Sequence, residues 1–146
     1  MITIRPVQPT DTPLLLPLLV AMGFVDNPNA AEARIIRSTE DKNHFLPVAL
    51  FNNQIIGYAW VQDYGAHLRS GEHTARLHDL FVLPQYRKRG IARSLMEAIV
   101  DWAQNQPIKW LQWQASASAV PFYERLGYTG ERCPDPEHPF FEIEFE

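Results

Sequence analysis

The chain has one cysteine, Cys133 in the loop-like run RCPDP, so no second thiol is available to pair with it. That excludes a disulfide framework or a thiolate metal site built from this chain alone, and it fits a reducing, cytoplasmic setting. Nowhere does the sequence reach the ~18 uninterrupted apolar residues of a membrane-crossing helix. The opening MITIRPVQPTD meets Arg5 and Pro6 too early for the apolar segment of a signal peptide. Positive charge is also short: 13 Lys+Arg against 17 Asp+Glu give a formal net charge of -4, which argues against general nucleic-acid affinity, since phosphate-tracking surfaces are broadly basic. His67, Glu72 and His73 have no fixed spacing on one element, and no metal is expected.

What is present is 146 residues, 46% of them hydrophobic, enough for one domain with a sizeable core, and residues 1–146 are read as that domain. Ile2 to Val7 reads as an opening strand. A helix is expected from Thr10 or Asp11 to Met22, with Leu14, Leu15, Leu18 and Leu19 as its apolar stripe, Pro17 inside it and Gly23 as its stop. A second helix should span about Ala30 to Ser38. FLPVALFNNQIIGYAWVQD reads as a hairpin turning at Asn52-Asn53, because asparagine tolerates positive φ. A polar loop and the strand ARLHDLFVLP follow. The next helix, Gly90 to Gln104, carries Ile91, Leu95, Ile99 and Trp102 on one face. A strand near WLQWQ, a helix near SAVPFYERLG, a short strand at Tyr128 and a closing strand in FFEIEF complete a mixed α/β order. The apolar FFEIEF edge would need a partner, which predicts a homodimer.

The stretch VLPQYRKRGIARSLM packs Arg87, Lys88, Arg89 and Arg93 around Gly90, between a strand and a helix. Such a turn aims free backbone N–H groups and the positive end of a helix at one point, and its natural ligand is a phosphate or pyrophosphate; a solvated basic turn is the bland alternative. The P-loop pattern and the three-glycine dinucleotide fingerprint are both missing.

This stretch, read as VxPxYRxxGIA, resembles the coenzyme A pyrophosphate loop of the GNAT superfamily of N-acetyltransferases, with Arg87, Gly90 and Ala92 on the Q/RxxGxG/A signature. SASAVPFYERLGY resembles the superfamily's second motif, with Ala119, Phe122, Tyr123, Gly127 and Tyr128 matching, and Ser116 where asparagine is usual. The resemblance implies a GNAT-like fold, a central mixed, mostly antiparallel twisted sheet flanked by helices, and an acetyl-CoA co-substrate. It implies that main-chain groups of Phe81 and Val82 meet the pantetheine arm. Arg87, Lys88, Arg89, Gly90, Ile91, Ala92, Arg93 and Ser94 would hold the pyrophosphate, while Ser116, Phe122 and Tyr123 would lie along the cofactor. A non-catalytic acyl-CoA sensor or scaffold of the same fold stays open.

The chemistry asks for a base, because an amine with a pKa near ~10.4 arrives protonated and cannot attack a thioester until a proton leaves. Strand alternation puts Arg76, His78, Leu80 and Val82 on one side of ARLHDLFVLP, and Leu77, Asp79 and Phe81 on the other. His78 is the candidate base, at a position similar to one that carries a base in some relatives. Asp79 is the candidate anchor for a cationic amine. Direct attack passes through a tetrahedral intermediate, whose collapse expels a thiolate that Tyr123 would protonate. The expected acceptor is a small-molecule primary amine; Asp26, Glu32, Asp63 and Glu72 lean toward a polyamine or an aminated sugar.

Overall fold

Asn52 and Asn53 adopt φ of 50° and 62°, the left-handed pair that a tight hairpin turn needs, and they join β3 (Pro47–Phe51) to β4 (Gln54–Ala66) as expected. The computed structural model describes residues 1–130, 137–139 and 141–145. Its elements in chain order are β1 (Thr3–Pro6), a 3₁₀ turn (Pro9–Asp11), α1 (Thr12–Met22), α2 (Pro28–Glu40), β2 (His44–Phe45), β3, β4, β5 (His73–Val82), a 3₁₀ turn (Pro84–Tyr86), α3 (Ile91–Gln104), β6 (Ile108–Gln112) and α4 (Val120–Arg125). The chain divides into two compact units, Met1–Gln114 and Ala115–Glu146.

In the first unit the strands form one sheet in the order β1-β3-β4-β5-β6, with β2 on β4. Every pairing is antiparallel except β5 with β6, the pair that α3 connects. On one face α1 and α2 bury Leu15, Leu18 and Ile35 against Leu46, Val48 and Tyr58. On the other, α3 buries Ile91, Leu95, Met96 and Ile99. Arg5 donates to both Asp11 oxygens at 2.7 and 2.9 Å, tying β1 to the start of α1 and holding the Asp11 carboxyl below its ordinary pKa. Pro17 is carried within α1, and Gly23 follows at φ 111°. Leu14, expected in the stripe, instead points out with 47% exposure, because the buried face centres on Leu15 and Leu18. Asn27 accepts from the Ala30 amide and Pro28 occupies the first turn, so α2 starts earlier than its apolar pattern suggests.

Two sequence expectations fail in the second unit. Tyr128 follows α4 without forming a strand, and 141–145 are likewise outside any strand. Alternating apolar residues make a strand only where a neighbour completes the ladder. Phe141, Ile143 and Phe145 are exposed instead, at 87, 76 and 86%. Cys133 and Phe140 lie outside the described residues.

Gly57 is the one glycine with a crowded surround, where a Cβ would meet the Phe81 carbonyl at 3.0 Å, Val82 Cγ2 at 3.2 Å and Leu95 Cδ1 at 3.4 Å. The β4–β5 pair can lie this close, under α3, only because position 57 has no side chain. Gly57→Val is expected to lower the unfolding free energy by about 1–3 kcal/mol through overpacking, read as a reduced urea midpoint at unchanged slope.

Candidate active site

Strand β5 carries the site, and its register with β4 is broken at one point. Trp60 pairs with Asp79 and Val61 with Leu77, so His78 is an extra residue on β5. The bulge overturns simple alternation. Arg76 pairs with Gln62, Asp79 with Trp60 and Phe81 with Tyr58, all toward the α1/α2 face, while Leu80 and Val82 pair with Ala59 and Gly57 toward α3. His78 joins the α1/α2 face, not the Val82 face: its ring lies 4.3 Å from that of Trp60, and its Nε2 is 3.2 Å from Gln62 Oε1 and 3.1 Å from the Tyr64 hydroxyl. The bulge thus brings His78 and Asp79 together on one side.

The electrostatics follow from these contacts. Gln62 Oε1 accepts from His78 Nε2 in the tautomer protonated there, while the Tyr64 hydroxyl can donate to Nε2 in the other. Burial, with the Arg76 guanidinium adding to it, lowers the His78 pKa below its ordinary value. Asp79 Oδ2 accepts from the Tyr58 hydroxyl at 2.8 Å, and Tyr58 is held far above its usual pKa, first by its burial and then by that carboxylate. Trp60 Nε1 donates to His44 Nδ1 at 3.1 Å, leaving His44 Nε2 facing Asp41 at 3.6 Å. Asp79, Tyr58, Trp60 and His44 all line a cavity of about 710 Å³ between α1, α2 and the sheet.

The edge of β5 has a second property. It pairs with β6 only through His73, Thr74, Ala75 and Arg76. Beyond Arg76, β5 has β4 on one side and, among the described residues, no strand paired to its other edge. The Leu83 amide donates to Ile56, so the ladder alternation gives the main-chain groups of Phe81 to Tyr58, contrary to the expectation that they meet the pantetheine arm, and turns those of Leu80 and Val82 to the unpaired edge.

This edge runs into the 3₁₀ turn Pro84–Tyr86 and then α3. Gly90, at φ 80°, precedes the helix, and no side chain caps its first turn, so the amides there are free to meet an anion. Lys88 is also left-handed, at φ 65°. Arg87 Nε donates to the Val82 carbonyl at 2.8 Å, with its guanidinium over the Phe81 ring. Arg89 lies over Tyr86, and Arg93 reaches Glu97 at 3.3 Å. Ser94 donates to the Gly90 carbonyl; Ile91 is buried and Ala92 half-buried. The cations expected from sequence therefore surround the helix start, with Arg87 fastened to the strand end.

In the second unit, Ser116 Oγ is 3.3 Å from Ser118 Oγ, ahead of α4. Phe122 and Tyr123 lie edge to face at 5.0 Å, and burial raises the Tyr123 pKa, which keeps its hydroxyl protonated at neutral pH. Sequence reasoning missed Tyr58, His44, Gln62 and Tyr64. The period-2 pattern of GYAWVQDY places Tyr58, Trp60, Gln62 and Tyr64 on one face and was the available signal.

Comparison with known proteins gives the chain a family and a fold. The sequence profile described as the Acetyltransferase (GNAT) family matches residues 15–128. A Bacillus subtilis (strain 168) protein, whose own description as an acetyltransferase is provisional, is 32% identical over 88 residues, 60% of this chain and 54% of that protein; the match thus spans about half of the relative's length. Among solved structures, glucosamine-6-phosphate N-acetyltransferase from Arabidopsis thaliana superposes with a TM-score of 0.80 at 16% identity, covering 97% of this chain and 99% of that one. The structure of AAC(6')-Iy in complex with a bisubstrate analogue, CoA-S-monomethyl-acetylneamine, superposes with a TM-score of 0.81 at 20% identity, covering 99% of each chain. The fold is thus that of the GNAT acetyltransferases, and with the profile covering most of its length the chain belongs to the acetyltransferase (GNAT) family.

Proposed function

We propose that residues 1–146 act as one acetyl-CoA-dependent N-acetyltransferase domain that acetylates a primary amine of a small molecule by direct attack. The observation that carries this reading is the layout of β5, which has an unpaired edge leading to the uncapped start of α3 and, on its α1/α2 face, a cavity with Asp79 in its lining. Acetyl-CoA supplies an activated acetyl thioester. The main-chain groups of Leu80 and Val82 on the unpaired edge suit its pantetheine arm, with the Phe81 ring beneath Arg87. The first-turn amides of α3, with Arg87, Lys88, Arg89, Gly90, Ile91, Ala92, Arg93 and Ser94, suit the pyrophosphate. Ser116, Phe122 and Tyr123 complete the cofactor residues.

In this reading Asp79 holds the incoming ammonium, and His78, kept neutral at physiological pH, takes its proton directly or through water. An N–H on the unpaired edge donates to the oxygen where negative charge develops. The Tyr123 hydroxyl protonates the departing thiolate. The fold's membership in a family named for acetyl transfer favours this over a non-catalytic acyl-CoA sensor, which would bind the thioester and release no thiol with any amine.

Isothermal titration is expected to detect acetyl-CoA binding, weakened about tenfold by Arg87→Ala through the loss of a charge-assisted contact. No binding by the intact protein would remove the reading. For the base, burial and Arg76 oppose protonation of His78, so its pKa lies below the ordinary 6.5. The kcat/KM profile should therefore be free of a histidine limb above about 6.5 and fall only as pH drops through that lower pKa. His78→Gln should remove this acid limb and lower kcat/KM by roughly a hundredfold. An unchanged limb in the variant would assign the base elsewhere. A homodimer is part of the proposal, and a monomeric mass in light scattering at micromolar concentration would strike it out.

A further inference from the structure

We infer that the acceptor is a singly charged primary amine on a compact apolar body, in chemical class an arylalkylamine, and not a polyamine or an aminated sugar; the inference rests on the acetyl-transfer reading above. The cavity of about 710 Å³ is walled by Leu19, Met22, Phe24, Ile35, Leu46 and Trp60. Four charged residues also line it, Arg34 and Arg37 against Asp41 and Asp79, and their charges cancel. Nothing in that balance concentrates a polycation.

The carboxylates differ in how they are satisfied. Asp11 is paired with Arg5 at 2.7 Å, and Asp63 with His73 at 2.9 Å. Asp26, outside the cavity lining, is taken by Arg34 at 2.6 Å. Asp41 faces His44 at 3.6 Å. Asp79 is held only by the neutral Tyr58 hydroxyl, and among the described residues no lysine, arginine or histidine stands within ion-pair distance of it. A half-buried carboxylate without a counter-cation, paired across the ladder with Trp60, is a site for one ammonium over an aromatic face.

Most of the remaining polar side chains of the wall are already engaged, and Arg37, which has no ion pair among the described residues, is an exposed cation that repels an ammonium. Ser38 Oγ donates to the Ile35 carbonyl at 2.6 Å, the Tyr58 hydroxyl is spent on Asp79, and His44 takes the Trp60 indole on one nitrogen and faces Asp41 with the other. The hydroxyls of a sugar, or a second ammonium, would be stripped of water against apolar walls without replacement partners. An aromatic ring meets no such penalty. At the mouth, Phe24 is fully exposed at a left-handed φ of 65°, next to Gly23 at 111°. Both an unfavourable backbone and an aromatic surface in water are thus held at the rim of the cavity.

The test is steady-state thiol release at saturating acetyl-CoA with 2-phenylethylamine, ethylamine, spermidine and kanamycin as acceptors. The expected kcat/KM for 2-phenylethylamine exceeds each of the others by at least about tenfold, the scale set by burying a ring. Trp60→Ala should cut the preference for 2-phenylethylamine over ethylamine about tenfold. Phe24→Ser, at a position outside the core, should cut it about threefold in a chain that folds. As a readout independent of turnover, 2-phenylethylamine binding by isothermal titration in the presence of coenzyme A should weaken about tenfold in Asp79→Asn. Preference for spermidine or kanamycin, a ratio unmoved in both variants, or binding unmoved in Asp79→Asn overturns the inference while acetyl transfer stands. Absence of thiol release with every amine, acetyl-CoA binding intact, overturns the acetyl-transfer reading and the inference with it.

Discussion

One extra residue on β5 governs the site. With strict alternation His78 would point toward α3 into the packed layer around Leu95, and Asp79 alone would face the cavity. The bulge between Trp60 and Val61 puts both on the same side, next to Tyr58, Trp60 and Gln62. The cost is a break in the ladder, offset on either side by the continuing β4 pairs and by Gly57, which lets the two strands close up under α3. A single backbone irregularity thus converts a structural strand into one that presents a carboxylate and an imidazole together.

The same strand keeps two ligand chemistries apart. On the edge that β6 leaves unpaired, main-chain groups run directly into the uncapped amides and cations at the start of α3, a setting that favours a polyanion despite the chain's net negative charge. On the α1/α2 face, apolar side chains surround an unneutralised carboxylate, a setting that favours a small cation. Val82 to Asp79 is three residues, roughly 10 Å of strand. Settings that favour charges of opposite sign are therefore sorted by the edge and the face of one short segment.

Much of this was legible in the sequence, and the rest was hidden for physical reasons. The Asn52-Asn53 hairpin and the α3 stripe of Ile91, Leu95 and Ile99 are local patterns and read directly. The cluster from Arg87 to Arg93 around a strand-to-helix turn was legible, but Arg87's bond back to the Val82 carbonyl was not, since it depends on where the strand ends. The bulge at His78 is a matter of register with a partner strand, and no spacing within β5 announces it. The pairs Tyr58–Asp79 and Trp60–His44 join residues on different strands and appear only once the strands are laid side by side. Alternation misled at FFEIEF, where apolar residues recur at period two and yet 141–145 form no strand.

In the proposed reaction Asp79 faces a conflict. A carboxylate that binds an ammonium also stabilises its charged form, while attack requires the proton to leave. Three features of the site relieve this. Tyr58 donates to one carboxylate oxygen and spreads its charge, so the pull on the ammonium is weaker than a bare carboxylate would exert. The apolar walls withdraw water from the amine, which favours its neutral form. The lowered pKa of His78, a consequence of its burial against Trp60 and of Arg76, leaves the ring unprotonated and ready to accept, and lets it give the proton on to solvent afterwards. Asp79 supplies orientation and the walls supply desolvation, so the base can be weak. A second ammonium on the acceptor would work against this arrangement, because it would draw either on water or on Asp41, which already faces His44, and both would restore the charge stabilisation that the walls remove.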